Sequence, residues 1–194
     1  YMDLGFVPEN KSSNSASKTL EFAYDDWCIA QFAKSIQQDS IYDIYAKRAQ
    51  NFTCIFDPST GFIRPKNSDG TFVFPFDPLN THGQGFIEGN AWNYSLYIPH
   101  NVPQLVTLMG GKKKMERYLD SLFLMELPDR YFEDTEDVTR DGIIGNYVHG
   151  NEPSHQSPFL YHFTDAPWKT QDKIRMILKR MYHTGPSGLS GNDD

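Results

Sequence analysis

Apolar residues recur at helical spacing along most of this chain, and each such stretch predicts a helix. The predicted helices span residues 15–36, 40–56, 90–97, 102–109, 112–125 and 168–182, and a seventh begins near Ser154 with Phe159, Leu160 and Tyr161 inside. The first two are joined by a short polar connection, which is typical of an αα-hairpin. Strand-like alternation is weak throughout. The pattern therefore predicts an all-α fold.

Long and short connections alternate between the predicted helices. Residues 57–89 form a long irregular segment rich in Gly, Pro, Asp and Asn, and residues 127–142 form a polar loop. The aromatic density of the first segment argues against disorder, so we expect an ordered and functional loop. Helical hairpins connected in this way fit a toroid around a central site, and a closed ring needs about twelve helices. The chain is therefore predicted to form roughly half of a helical ring.

Composition excludes several function classes. The formal net charge is −7 and no dense basic stripe is present, so nucleic acid is not an expected partner. No stretch reaches the roughly 18–20 apolar residues of a membrane span. Cys28 and Cys54 lack the paired spacing of a zinc site and are predicted to be buried free thiols, with a disulfide open only if their helices are adjacent. The acidic balance is compatible with a site for a divalent cation.

Two segments carry carboxylates in settings that admit a catalytic role. Asp25 and Asp26 stand beside Trp27 within the first predicted helix, where they form either a solvated face or part of a site. Glu88 stands between glycines and aromatic residues at a predicted helix start. It is either a favourable acid at a helix N-terminus or, beside Phe86 and Trp92, a carboxylic acid with a raised pKa suited to general acid catalysis.

A third segment places two imidazoles, a carboxylate and an amide within residues 149–155. His149 and His155 do not have the spacing of a zinc site, whereas the oxygen donors of Asn151 and Glu152 suit calcium. The alternative is a capped helix start with Pro153 in its first turn. Each of these signals is weak when it is considered alone.

Several long blocks together resemble family 92 of the glycoside hydrolases, whose members are exo-acting α-mannosidases. The blocks include SASKTLEFAYDDWCIAQFAK, FDPSTGFIRPKNSDGTFVFPFDP, GQGFIEGNAWNYSLYIPHNV, LMGGKKKMERYLDSLF, HGNEPSHQSPFLYHFTDAPWKTQDKIR and GPSGLSGNDD, and they cover nearly the whole chain from Ser15. The resemblance implies that residues 1–194 are part of an (α/α)6 toroid catalytic domain. In the family this domain normally follows a β-sandwich domain, which this chain lacks.

The resemblance also implies a mechanism and a set of site residues. It implies inversion at the anomeric carbon and a calcium ion that holds hydroxyls of the terminal mannose. By position Glu88 matches the general acid, and Asp194 is the candidate general base, with Asn192 where a second acidic residue is usual. Asn151 and Glu152 match the block associated with calcium and sugar. The further expected pocket residues are Asp25, Asp26, Trp92, His149 and His155.

The implied activity is calcium-dependent release of terminal α-linked mannose from an oligosaccharide or a glycoprotein N-glycan, with α-1,2 among the linkages. Members of the family are exported, so a secreted or periplasmic location is expected. The alternative is a catalytically silent mannoside-binding remnant, because a half-ring alone leaves the pocket incomplete. Asn93 replaces the usual Gln and creates a glycosylation sequon, in addition to those at Asn10 and Asn51.

Overall fold

The computed structural model describes residues 1–81, 83–132, 140–186 and 188–189, and its first part is a helical hairpin. Helix α1 (Ser15–Ser35) packs against α2 (Asp39–Arg48). The predicted second helix is wrong at its end, since α2 stops at Arg48 and residues Asn51–Ile55 form a 3-10 turn. The reason is that Asn and Thr in this stretch are poor helix formers, and the tighter turn buries Phe52 and Ile55.

The segment predicted to be irregular contains a short hairpin of β1 (Phe56–Asp57) and antiparallel β2 (Phe62–Ile63). From residue 64 to residue 90 the described chain contains turns and isolated pairings, such as that of Lys66 with Phe72. A short helix α3 (Ala91–Tyr94) follows, where a helix over residues 90–97 was predicted. The described residues of the segment are folded against the core, in which Ile63 and Phe86 are buried, as its aromatic content predicted.

The remaining helices agree with the predicted ones to within one or two residues. They are α4 (Val102–Leu108), α5 (Lys112–Leu124) and α6 (Lys169–Met181). Short elements lie between α5 and α6, namely β3 (Ile143–Ile144), its antiparallel partner β4 (Tyr147–Val148), and 3-10 turns at Asp129–Tyr131, Arg140–Gly142, Glu152–Ser154 and Ser157–Phe163. The described chain is thus predominantly helical with two short hairpins.

The helix predicted near Ser154 is replaced by two 3-10 turns. Pro153 and Pro158 each remove a backbone N–H donor, which interrupts α-helical hydrogen bonding. The prediction that Phe159 points inward is wrong, because its side chain is 51 % exposed while Leu160 and Tyr161 are buried.

The core gathers apolar residues from all six helices except α2, whose residues are half-buried or exposed. The prediction of buried thiols is wrong for Cys28, which is exposed on α1, and Cys54 is half-buried; both are free. The exposure of Cys28 follows from the helix period, since Ala23, Asp26 and Ala30 take the inner face of α1. Within the described chain, none of the helices combines the length and apolar character that a bilayer crossing requires.

Candidate active site

The loop that carries Glu88 is fixed at its N-terminal side by α1. The carbonyl oxygen of Gly85 accepts hydrogen bonds from the backbone N–H groups of Ala16 (3.0 Å) and Ser17 (3.1 Å) at the start of the helix. The backbone N–H of Ile87 donates to the Ser17 hydroxyl oxygen at 3.3 Å. The first N–H groups of a helix have no acceptor within the helix. The Gly85 carbonyl supplies one here, and the same hydrogen bonds hold the loop against α1.

The C-terminal side of the same loop is fixed by α3. Asn90 caps the helix: its side-chain oxygen accepts from the backbone N–H of Trp92, and the Asn93 side chain accepts from the backbone N–H of Asn90. Glu88 lies between the two anchors with a φ of 54°, a left-handed conformation that is uncommon outside glycine. Strain of this kind persists where the surrounding contacts determine the backbone, and it is concentrated at functional sites.

Asn151 joins the 149–155 segment to Glu88. Its side chain is 97 % buried, and its Nδ2 donates to both the Glu88 carboxylate oxygen Oε2 (3.1 Å) and the Glu88 carbonyl oxygen (3.0 Å). The oxygen of the amide, Oδ1, is buried and has no hydrogen-bond partner among the described residues. A buried acceptor without a partner costs about 1–3 kcal/mol, so a ligand that supplied a partner for this atom would be favourable.

His149 and His155 are stacked on each other beside Asn151, with ring centroids 5.0 Å apart. His149 Nδ1 lies 2.8 Å from the Tyr147 hydroxyl and Nε2 lies 2.7 Å from the Tyr182 hydroxyl, while His155 Nε2 lies 2.8 Å from the His149 carbonyl oxygen. Burial, reinforced by the neighbouring His155, lowers the pKa of His149. His149 is therefore predominantly neutral near pH 7.

The imidazole pair opens onto a cavity of about 230 Å³. Its polar wall contains His149, His155 and Tyr182, and its apolar wall contains Pro158 and residues of α6. A small cavity with a few polar groups on an apolar surface is the usual form of a ligand site.

Other predicted site residues have different contacts. Asp26 is buried and forms an ion pair with Arg48 at 2.7 Å, and it also accepts from the Tyr1 hydroxyl at 3.0 Å. Asp25, the preceding residue, is exposed, as is Glu152 beside Asn151. The structure thus gives Asp26 a clear role in joining the helical hairpin.

Trp92 packs its ring against Tyr118 (centroids 4.4 Å apart) and Phe62 (5.2 Å). With these two residues it lines a second cavity of about 520 Å³, whose rim carries Lys114 and Arg117. Among the described residues, the structure therefore joins Glu88 to Asn151 and stacks His149 on His155 within the 149–155 segment, and it places Asp26 and Trp92 in other contacts. Asp194 and Asn192, at the predicted position of the general base, lie outside the described residues.

Two residues near Glu88 were missed by the sequence analysis. Tyr94 is buried and stacks on Phe86, and burial raises its pKa to about 12 despite hydrogen bonding to Ser17 and Asn151. The negative charges of Glu21 and Glu88 act in the same direction. Glu21 is half-buried on α1 and accepts from the Tyr97 hydroxyl at 3.1 Å, and burial raises its pKa. The helical spacing of Ser17 and Glu21 on α1 was the available signal.

The described residues meet part of the requirement for a calcium site. Calcium takes six to eight oxygen ligands, and amide carbonyls are among them. The unpartnered Asn151 Oδ1 is such a donor, and the Glu88 carboxylate adjoins the same amide. Within the described ranges no group of three or more His, Cys, Asp or Glu side chains is placed to hold a metal ion. Among these residues, Asn151 therefore fits a calcium ion as one contributor to a larger ligand set.

Comparisons with known proteins agree in the kind of protein that they identify. The model of the glycosyl hydrolase family 92 catalytic domain matches residues 1–194. A family GH92 α-mannosidase of Bacteroides thetaiotaomicron has a TM-score of 0.89 and 40 % identity over 100 % of this chain and 25 % of its own. The same enzyme in complex with mannoimidazole has a TM-score of 0.90 and 39 % identity, covering 100 % of this chain and 26 % of that one.

Two more distant relatives extend the comparison. A family GH92 inverting mannosidase of Bacteroides thetaiotaomicron has a TM-score of 0.84 and 33 % identity, covering 98 % of this chain and 26 % of its own. An uncharacterized secreted glycosidase of Arthroderma benhamiae is 23 % identical over 214 residues, which is 99 % of this chain and 25 % of that protein. The chain thus spans about a quarter of the length of the relatives that it matches.

Proposed function

This chain belongs to glycosyl hydrolase family 92, and from that premise we propose that it is part of the catalytic domain of an inverting, calcium-dependent exo-α-mannosidase. The substrate proposed is a terminal α-linked mannose of an oligosaccharide or glycoprotein N-glycan. The observation that carries the proposal is the setting of Glu88. The backbone of Glu88 is held in a left-handed conformation, and the buried Asn151 amide donates to its carboxylate. A catalytic acid must be held in this way within reach of the atom that it protonates.

The proposed reaction uses two carboxyl groups. Glu88 donates its proton to the glycosidic oxygen as the bond to the anomeric carbon breaks, and Asp194 takes a proton from the water that attacks the opposite face. The aglycone leaves as an alcohol, and mannose is released with its anomeric configuration inverted. In inverting enzymes the two carboxyl groups lie roughly 6.5–9.5 Å apart, which leaves room for the water.

We propose Asn151 as a calcium ligand, with Glu152 as a second candidate ligand. The Asn151 Oδ1 atom is a buried oxygen donor with no partner among the described residues. When it is bound, calcium supplies a fixed positive charge that holds sugar hydroxyls and favours a distorted ring. His149, His155 and the hydroxyl groups of Tyr147 and Tyr182 supply further hydrogen-bonding groups close to Asn151 in the chain fold.

We further propose that residues 1–194 form part of an (α/α)6 toroid. The packed α1–α2 hairpin and the helical elements that follow support this proposal, as do the family 92 structures that the chain matches. A secreted or periplasmic location is supported by the description of the Arthroderma benhamiae relative as secreted.

The test is mannose release from α-linked mannobioses by the full-length protein that contains this chain. Glu88→Gln removes the acidic proton at nearly constant shape and is expected to lower kcat by about 10²–10⁴-fold, the usual contribution of a general acid. Glu126→Gln, an exposed glutamate after α5, is the matched control and should leave the rate unchanged. A chelator is expected to abolish release and added calcium to restore it. Binding of mannosides without release would favour the catalytically silent remnant.

A further inference from the structure

We propose that Asn151 is the positioning residue for Glu88: its amide holds the backbone and the carboxyl group of the catalytic acid in one orientation. The inference rests on the proposed function, because it gives Asn151 a task in the same proton transfer. The two residues are 63 positions apart in the chain. Their contact therefore depends on the tertiary fold and not on local sequence.

The geometry of the amide supports this role. One nitrogen, Nδ2, donates to both the Glu88 carbonyl oxygen (3.0 Å) and the carboxylate oxygen Oε2 (3.1 Å). The bond to the carbonyl oxygen holds the Glu88 backbone, which has a φ of 54°, and the bond to Oε2 holds the Glu88 side chain. A single buried group thus fixes both the strained peptide and the catalytic carboxyl group.

The direction of the hydrogen bond fixes the role of each partner. An amide N–H can only donate, so Oε2 of Glu88 accepts from Asn151. The carboxyl group is therefore held in one orientation before it donates its proton. During the proposed reaction the O–H bond of Glu88 breaks and the proton passes to the glycosidic oxygen, while Oε2 keeps its hydrogen bond to Nδ2.

The surroundings of Asn151 favour one orientation of the amide. Its side chain is buried, and Tyr94 interacts with it from the core. The preceding residue of the loop, Ile87, donates its N–H to Ser17, so both sides of the Glu88 peptide are held. With Nδ2 directed to Glu88, Oδ1 points away from it and remains the atom for a ligand. The two ends of one side chain thus have separable tasks.

Substitution can separate these tasks. Asn151→Asp keeps an oxygen at the Oδ1 end and replaces the donor at the Nδ2 end with a second oxygen. The introduced carboxylate cannot donate to Oε2, and it competes for the Glu88 proton. Asn151→Ala removes both ends. Asn146→Ala is the matched control, because Asn146 is also a buried amide whose side chain joins two segments, through hydrogen bonds with the Asn90 side chain.

The measurement is kcat/KM of the full-length protein on two substrates, an α-linked mannobiose and 2,4-dinitrophenyl α-mannoside. The disaccharide has a poor leaving group that needs the proton, and dinitrophenolate leaves without it. We expect Asn151→Asp to lower kcat/KM about 100-fold on the mannobiose, as a misplaced catalytic group does, and less than about 5-fold on the aryl mannoside. The ratio of the two values does not depend on the fraction of folded enzyme, so Asn151→Ala and a poorly folding variant remain informative.

Calcium titration and Glu88→Gln complete the test. The calcium concentration for half-maximal activity should be unchanged in Asn151→Asp and raised in Asn151→Ala, while Asn146→Ala keeps the wild-type ratio of the two substrates. Equal losses on both substrates in Asn151→Asp would overturn the positioning role, provided that Glu88→Gln shows the leaving-group dependence. If Glu88→Gln itself loses activity equally on both substrates, the assignment of Glu88 as the acid fails, and the proposed mechanism fails with it.

Discussion

At the scale of single residues, Asp57 and Arg64 form an ion pair that is almost fully removed from solvent. The distance from Arg64 Nη1 to Asp57 Oδ2 is 2.6 Å, and the two side chains are 11 % and 6 % exposed. Burial alone raises the pKa of Asp57, but hydrogen bonds from the Ser59 hydroxyl, Arg64 and the Ser59 amide outweigh it and lower the pKa to about 2. A buried ion pair with these partners joins β1 to the loop that follows β2.

Asp57→Asn is therefore expected to destabilise the protein, by about 3–5 kcal/mol at pH 7, because it leaves Arg64 buried without a counter-charge. The lowered pKa of Asp57 means that its contribution is complete above its ordinary value of 3.8 and is lost as the pH falls toward 2. Denaturant midpoints at pH 7 and pH 2.5 measure the difference, which should shrink at the lower pH. Asp172→Asn, in an exposed pair with Arg175, is the control and should change stability little.

Residue type predicted part of the candidate site, and tertiary contacts decided the remainder. Glu88, Asn151, His149 and His155 were identified from short blocks with unusual side chains, and the structure pairs Glu88 with Asn151 and His149 with His155. That the Asn151 amide faces Glu88 could not be predicted, because no local pattern relates residues so far apart in the chain. Asp26 shows the converse: its neighbours in sequence suggested a pocket, whereas its ion pair with Arg48 of α2 became visible only in the folded hairpin.

At the scale of elements, amphipathic helices were the most predictable feature. In α5 the buried residues Met115, Leu119 and Leu122 follow each other at spacings of four and three, which is the helix period. The helix ends agree because α4 has its cap at Asn101 and two glycines separate α4 from α5. The 3-10 turns could not be predicted as such, because their short apolar runs fit a helical period equally well.

Leu119→Ala tests whether the buried face of α5 carries the stability that its burial implies. The side chain is 0 % exposed, so its truncation is expected to cost about 2–5 kcal/mol of unfolding free energy. Leu124→Ala is the matched control in the same helix, since Leu124 is 70 % exposed and its loss should cost less than about 0.5 kcal/mol. Chemical denaturation of both variants gives the comparison, and similar costs would contradict the assigned burial.

The burial of Asn93 in helix α3 bears on which glycosylation sequons can be modified. Asn93 is buried and its side chain serves both the cap of α3 and the carbonyl oxygen of Asn146, at 2.6 Å. Asn10 is exposed and pairs with Ser68 at the surface. Expressed in a eukaryotic secretory host, the folded protein is expected to carry a glycan at Asn10 and none at Asn93. Peptide mapping by mass spectrometry locates the glycans, with Asn10→Gln as the control, and a glycan on Asn93 in the folded fraction would contradict this placement.

At the scale of the whole molecule, the described chain leaves large apolar side chains in solvent. Phe32 on α1 is 65 % exposed, Ile44 on α2 is 56 % exposed and Leu178 on α6 is 57 % exposed. Large exposed apolar side chains are candidates for contact with further parts of a protein. Because the chain spans about a quarter of its family 92 relatives, we expect further helices of the proposed toroid to cover these side chains in the full-length protein.

We therefore expect one pair of substitutions to improve the behaviour of residues 1–194 alone and to destabilise the full-length protein. Phe32→Ser combined with Ile44→Ser removes exposed apolar surface, so in a polypeptide limited to residues 1–194 it should reduce aggregation and binding of a hydrophobic dye. In the full-length protein the same pair should lower the midpoint of thermal unfolding, because two buried side chains are lost. Gln31→Ser, a polar change on the exposed surface of α1, is the control for both measurements. Unchanged stability of the full-length double variant would show that this hairpin face remains in solvent, and it would argue against the ring.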